Sequence, residues 1–239
     1  MTAAEIVDVT QAQVDTWQRD GFLVLDRFLA DQTIGVLRAA YDDILSRKVP
    51  AAGDRELGRI TRQVMDPSRA HPDFDDNAAL RSALQLARRL LGTPEVGRTF
   101  DMLIYKPPGH PYETPWHQDA AYNAMPFSPA GTPLRPDSIQ VWIPLDDVDT
   151  ENGCMQFVPG WHTDPLLEHR VAAGSPDSPD RLLALVDPEH QVDLDTAVVA
   201  EIPAGGATLH SPGTPHYTGP NRSADRPRRA YIFNIGRRC

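Results

Sequence analysis

The spacing of apolar positions changes once along this chain. Up to about residue 93 they recur at three and four residues; beyond it they come in short runs cut by glycine and proline. Thr10 and Gln13 make a capping box ahead of a short helix, which Gly21 stops. The run GFLVLDRFL, Gly21–Leu29, predicts a strand leading into a loop. Asp31 is placed to cap a second helix with Ile34, Leu37, Ala40, Tyr41 and Ile44 on its inner face. Residues 48–76 are rich in Pro, Gly, Asp and Arg, show no period, and predict a loop. Asn77 is placed to cap a third helix with Leu80, Leu84, Ala87, Leu90 and Leu91 inward, and Gly92 ends it.

After Pro94 the runs Val96–Tyr105, Ile139–Leu145, Met155–Val158, Ala197–Ile202, Ala207–Leu209 and Arg229–Ile235 predict strands. Glu151-Asn152-Gly153 reads as a hairpin turn. Short strands with Gly/Pro turns indicate a sandwich or barrel. The expectation is a mainly β fold with N-terminal helices in a single domain over 1–239. Its helical part runs to about 93 and its β core covers about 94–239. The polar, Pro-rich stretch of about 160–195 is read as an insertion or lid.

Composition narrows the function classes. The net charge of −10 excludes general nucleic-acid binding. The late cluster Arg226, Arg228, Arg229, Arg237 and Arg238 is local and suits an anionic small molecule. No apolar run reaches bilayer length, and MTAAEIVDVTQ lacks the regions of a signal peptide. Two cysteines, Cys154 and Cys239, make no disulfide framework. The expectation is a soluble cytoplasmic protein acting on a small molecule, with no nucleic-acid or membrane partner. Oligomeric state is not legible.

The sharpest chemistry lies in PWHQDAAY, Pro115–Tyr122. On a strand His117 and Asp119 point to one side and Gln118 to the other. Two histidines and one carboxylate on one face of a metal leave three positions open, as in non-haem Fe(II) oxygenases. The third ligand would come from Leu209–Ile235, which offers both His210 and His216. An arginine from the same segment could bind a carboxylate through two parallel hydrogen bonds.

The stretches GFLVLDRFL, MLIYKPPG (Met102–Gly109), WHQD, VWIPLDDVDTENGCMQFVPGWH (Val141–His162) and HYTGPNRSADRPRRA (His216–Ala230) occur in an order that resembles the phytanoyl-CoA dioxygenase (PhyH-like) family. The resemblance implies a double-stranded β-helix (jelly-roll, cupin-like) core. It implies Fe(II) held by His117, Asp119 and His216, with His210 left to line the site or pack. It implies 2-oxoglutarate as cosubstrate with O2, its C5 carboxylate gripped by Arg228, with Arg229 turned to the opposite side and Arg226 in the preceding turn. Met102, Gln118, Trp142 and Thr218 match positions lining the cosubstrate pocket. RITRQVMD (Arg59–Asp66) resembles a loop that sends Arg62 or Gln63 toward 2-oxoglutarate, the register being open. Related halogenases carry a small residue in place of Asp119, so the carboxylate implies hydroxylation of a C–H bond with release of succinate and CO2.

Tyr122, Asn123, Met125 and Phe127 follow the ligands and are expected to form substrate wall. They do not name the substrate; acidic charge and modest length favour a secondary metabolite or small acid over a CoA thioester. Two rivals are a non-catalytic jelly-roll binding protein and a zinc hydrolase with the same ligand set. Neither explains an arginine downstream of the distal histidine.

Overall fold

The computed structural model of the protein describes residues 8–238. The N-terminal stretch screened for a targeting signal begins outside the described residues, as does Cys239. In chain order the helices relevant here are α1 Gln11–Asp20, α2 Asp31–Leu45, α3 Pro67–Ala70, α4 Pro72–Asp75 and α5 Ala78–Leu90. The strands are β1 Phe22–Leu25, β2 Gly53–Leu57, β3 Thr61–Met65, β4 Val96–Lys106, β5 Thr114–His117, β6 Ser138–Pro144, β7 Met155–Phe157, β8 His169–Ala173, β9 Leu182–Leu185, β10 Val198–Ala200, β11 Ala207–His210, β12 His216–Thr218 and β13 Arg228–Arg237.

The first helix follows its sequence signals: Thr10 and Gln13 bond reciprocally, and Gly21 takes the left-handed conformation at the C-cap. Asn77 caps α5 by accepting from Leu80 N. Asp31 does not cap α2; it is the first helical residue, the cap is Ala30, and a carboxylate in that first turn still meets the positive end of the helix dipole. The five apolar residues expected on the inner face of α2 are all buried.

Residues 48–76 are not a loop. They form the β2–β3 hairpin and the short helices α3 and α4. The strands GDREL and TRQVM lie at the sheet margin with several half-buried polar residues, so no apolar alternation announces them. Asn152-Gly153 also departs from expectation. It joins β6 to β7, which lie in different sheets, so it closes no hairpin. Asn152 is buried, with Oδ1 accepting from Asp149 N at 2.9 Å and Nδ2 donating to Asp147 O at 2.8 Å.

A seven-stranded sheet runs β1-β11-β6-β13-β4-β3-β2 and faces a four-stranded sheet, β10-β7-β12-β5; β8 and β9 pair separately. This is the double-stranded β-helix, and its strand pairs among the described residues are antiparallel. Alternation splits each strand of the large sheet between two environments. Val141, Ile143, Tyr231, Phe233 and Leu103 face the helices in one apolar core. Trp142, Ile232, Ile104, Met155 and Phe157 meet between the two sheets in a second. Three of the seven strands, β1 to β3, come from the part of the chain before residue 94. No helix among the described residues is long and apolar enough to cross a membrane.

Phe74, on α4, is fully buried and packs its ring 4.9 Å from that of Tyr231 on β13. Phe74→Ala is expected to cost about 3–5 kcal/mol, read from urea unfolding. A loss under about 1 kcal/mol would show that the segment before α5 is not part of the core.

Candidate metal centre

The register of the smaller sheet builds the centre. β12 pairs with β5 so that His216 lies directly opposite His117, and with β7 on its other side. β5 ends at His117; Gln118 stays extended, and Asp119 opens a short 3-10 turn. One further step of strand-like alternation therefore brings Asp119 to the side of His117. His117, Asp119 and His216 present ligand atoms within 4.8 Å of one another, and no other such group of His, Cys, Asp or Glu occurs among the described residues. Asp119 Oδ1 is 3.6 Å from His117 Nε2 and 3.7 Å from His216 Nε2.

The other ring nitrogens orient these histidines. His117 Nδ1 is 2.7 Å from Pro115 O and His216 Nδ1 is 2.9 Å from Thr214 O. A carbonyl oxygen only accepts, so both Nδ1 atoms carry the proton and both Nε2 lone pairs face Asp119. Burial and the adjacent His117 and His210 hold the His216 imidazole well below the usual range, hence neutral. Burial pushes the Asp119 carboxyl up, but the surrounding imidazoles, His216 first and then His117 and His210, outweigh it and hold it well below the usual range. Neutral imidazoles and an ionised carboxylate are the states a divalent cation requires. Nitrogen and oxygen donors without a thiolate fit Fe(II).

A cavity of about 630 Å³ opens onto the triad. That is ample for a cosubstrate and a small substrate. Arg228 lies inside it, 1% exposed, with Nε and Nη2 lacking any hydrogen-bond partner and its guanidinium 5.7 Å from the Trp142 ring centroid. Burial lowers its pKa to about 10, so it remains a cation at neutral pH. Arg229 turns outward to Asp146 and Asp42, and Arg226 binds Asp149 and Glu151 in the preceding turn.

Among the other expected site residues, Met102, Gln63, Trp142, Thr218, Tyr122 and Asn123 line the cavity. Four do not. Gln118 is buried on the far side of its strand, donating to Gly213 O and accepting from Leu167 N. Arg62 faces outward to Asp54 and to the carbonyls of Ile44 and Leu45. It alternates with Gln63, and only one of the two can face the interior. Met125 is exposed with its sulfur against Arg181, and Phe127 packs under the 160–195 segment. The 3-10 turn after Asp119 breaks the period of two and carries them out of the cavity.

The segment of about 160–195 is fastened to the centre. His169 Nε2 accepts from Gln118 N at 3.0 Å, Tyr122 Oη accepts from Leu183 N at 2.9 Å, and Arg181 donates to Ala124 O at 2.6 Å. His210, expected to line the site or pack, does line the cavity; among the cavity residues that sequence reasoning missed are Gln140 and Asn234. The last two carry their amides on directly paired positions of β6 and β13. Polar residues at alternating sites in otherwise apolar strands, SIQVWIP and RRAYIFNIGR, were the available signal.

Fold and site together define a double-stranded β-helix with a two-histidine, one-carboxylate centre. The chain belongs to the phytanoyl-CoA dioxygenase (PhyH) family, whose profile matches residues 17–230. It is 33% identical over 134 residues to phytanoyl-CoA dioxygenase domain-containing protein 1 of Danio rerio, covering 56% of this chain and 43% of that protein. It is 29% identical to L-proline trans-4-hydroxylase of Streptomyces griseoviridis, covering 87% of this chain and 80% of that enzyme. The chain spans less than half of the length of several relatives it matches, such as 47% of rat peroxisomal phytanoyl-CoA dioxygenase. Among solved structures, EvdO2 from Micromonospora carbonacea var. aurantiaca complexed with 2-oxoglutarate superposes with a TM-score of 0.81 at 28% identity, covering 99% of this chain and 94% of that one.

His110 is buried beside Thr61, their Nε2 and Oγ1 3.0 Å apart. Burial, then Lys106 and Arg228, lower its pKa to about 4. The unfolded chain binds this proton more tightly, so the contribution of neutral His110 is complete above a pH of about 6.5 and is lost as pH falls toward 4. The urea midpoint of the wild type should fall more steeply from pH 7 to pH 5 than that of His110→Gln. Parallel profiles would contradict the assignment.

Proposed function

We propose that the protein is an Fe(II)- and 2-oxoglutarate-dependent dioxygenase that hydroxylates a small organic molecule. The observation that carries this is Arg228: a buried, unneutralised guanidinium inside the cavity that also holds the triad. A buried cation without a counter-charge is costly, and a carboxylate that enters with the cosubstrate removes the cost. A zinc hydrolase has no use for it.

His117, Asp119 and His216 would hold the metal. Bound there, Fe(II) with 2-oxoglutarate and O2 supplies the oxidation of a substrate C–H, with succinate and CO2 as products. Arg228 binds and orients the far carboxylate of 2-oxoglutarate, and the Trp142 ring fixes the plane of its guanidinium. Lys106 is buried and donates to Thr218 Oγ1 at 3.1 Å and to Gly219 O at 2.7 Å. Because that amino group donates to the Thr218 oxygen, the hydroxyl proton is left to donate to the same carboxylate. Tyr122 and the 160–195 segment wall the centre from water.

The substrate side has a neutral polar wall. Gln140 is buried, lines the cavity, and has an unpartnered Oε1. Asn234 beside it accepts from Thr99 Oγ1, which leaves its amide N–H groups to a ligand. Such a pair suits a substrate with uncharged hydrogen-bonding groups rather than a bare alkyl chain. A small-molecule substrate also agrees with the S. griseoviridis relative, an L-proline hydroxylase.

Anaerobic addition of Fe(II) and 2-oxoglutarate to the purified protein should produce a visible charge-transfer band, and His117→Ala should abolish it. Arg228→Ala should keep the metal but bind 2-oxoglutarate at least about 30-fold more weakly. Absence of the band in the wild type, with no succinate formed in air, would overturn the proposal.

A further inference from the structure

Four residues meet at the centre, and only three of them face it with lone pairs. His210 sits on β11, where Phe22 and Gln140 are its partners on the two flanking strands. It is 1% exposed, and its ring lies 5.4 Å from that of Phe157 and 4.3 Å from that of His216. Its hydrogen bonding is the reverse of its neighbours'. His117 and His216 carry their protons on Nδ1 and bond backbone carbonyls. In His210 it is Nε2 that meets an acceptor, Asp119 Oδ2 at 3.2 Å, while Nδ1 has no partner. An ionised carboxylate cannot donate, so the proton between them belongs to His210 Nε2. A nitrogen carrying that proton has no lone pair for a metal.

We propose that His210 is a positioning residue: its Nε2–H holds Asp119 Oδ2, leaving Oδ1 as the single carboxylate oxygen available to the metal. This rests on the metal reading above. The two oxygens are already divided, Oδ1 lying 3.6 and 3.7 Å from the His117 and His216 Nε2 atoms and Oδ2 lying at His210. The division matters because a carboxylate that swings to bind through both oxygens occupies one more metal position, and cosubstrate and O2 together need three. Asp119 needs an external hold because it opens a 3-10 turn rather than sitting within a strand. His210 supplies one from a strand paired on both sides.

The test replaces the donor and keeps the ring size. His210→Phe, His210→Gln and wild type are titrated with Fe(II) anaerobically by calorimetry, and with Co(II) while the visible ligand-field bands are recorded. His210→Phe should bind metal about 10- to 100-fold more weakly, with shifted Co(II) bands. His210→Gln, whose amide N–H can reach the carboxylate, should recover most of the affinity and the wild-type bands. Affinity and bands unchanged in His210→Phe, or equal losses in Phe and Gln, would overturn the proposal. So would a loss as complete as that of His117→Ala, since His210 would then be a ligand. Failure of the wild type to bind metal would instead refute the reading it rests on. Should His210→Phe not fold, ¹⁵N–¹H correlation spectra of the wild-type Zn(II) form decide: His210 protonated at Nε2, with His117 and His216 at Nδ1, supports the proposal, and His210 protonated at Nδ1 overturns it.

Discussion

The centre depends on one strand pairing. β12 is three residues long, yet it is hydrogen-bonded to β5 on one side and β7 on the other, which sets His216 opposite His117. A slip of one residue would turn His216 to the other face of the sheet and put Tyr217 in its place. Both neighbours therefore fix the metal site, and each imidazole is then locked by a bond from Nδ1 to a carbonyl two residues earlier. The chain needs no additional element to orient these two rings.

The larger sheet does different work with its two faces. Its outer face is apolar and closed by α1, α2 and α5. Its inner face changes character along the strands of the cavity: Arg228 at one end, Trp142 and Ile232 in the middle, Gln140 and Asn234 at the other. The charged end asks for an anion, the apolar middle excludes water, and the amide end offers neutral hydrogen bonds. Confining the cation to one end of a desolvated cavity gives an entering dicarboxylate a direction as well as a site.

Sequence alone carried much of this, for identifiable reasons. His117 and Asp119 were legible because strand alternation is a strict period of two. Arg228 and Arg229 separated by the same rule. The choice between His210 and His216 was not legible from spacing, because the two lie one short turn apart and differ in which ring nitrogen is bonded to what. That difference exists only after β11, β12 and Asp119 have met. Gln118 shows the opposite failure: alternation alone turned it away from His117, and resemblance to pocket positions turned it back. The β2–β3 hairpin escaped notice because a sheet margin tolerates GDREL, a strand with almost no apolar pattern.

The most direct test of the account is iron-edge anomalous diffraction from crystals grown anaerobically with Fe(II) and 2-oxoglutarate. The account predicts one peak bound by His117 Nε2, His216 Nε2 and a single oxygen of Asp119, with the far carboxylate of 2-oxoglutarate on Arg228. A peak ligated by His210, or a 2-oxoglutarate whose far carboxylate lies away from Arg228, would contradict it.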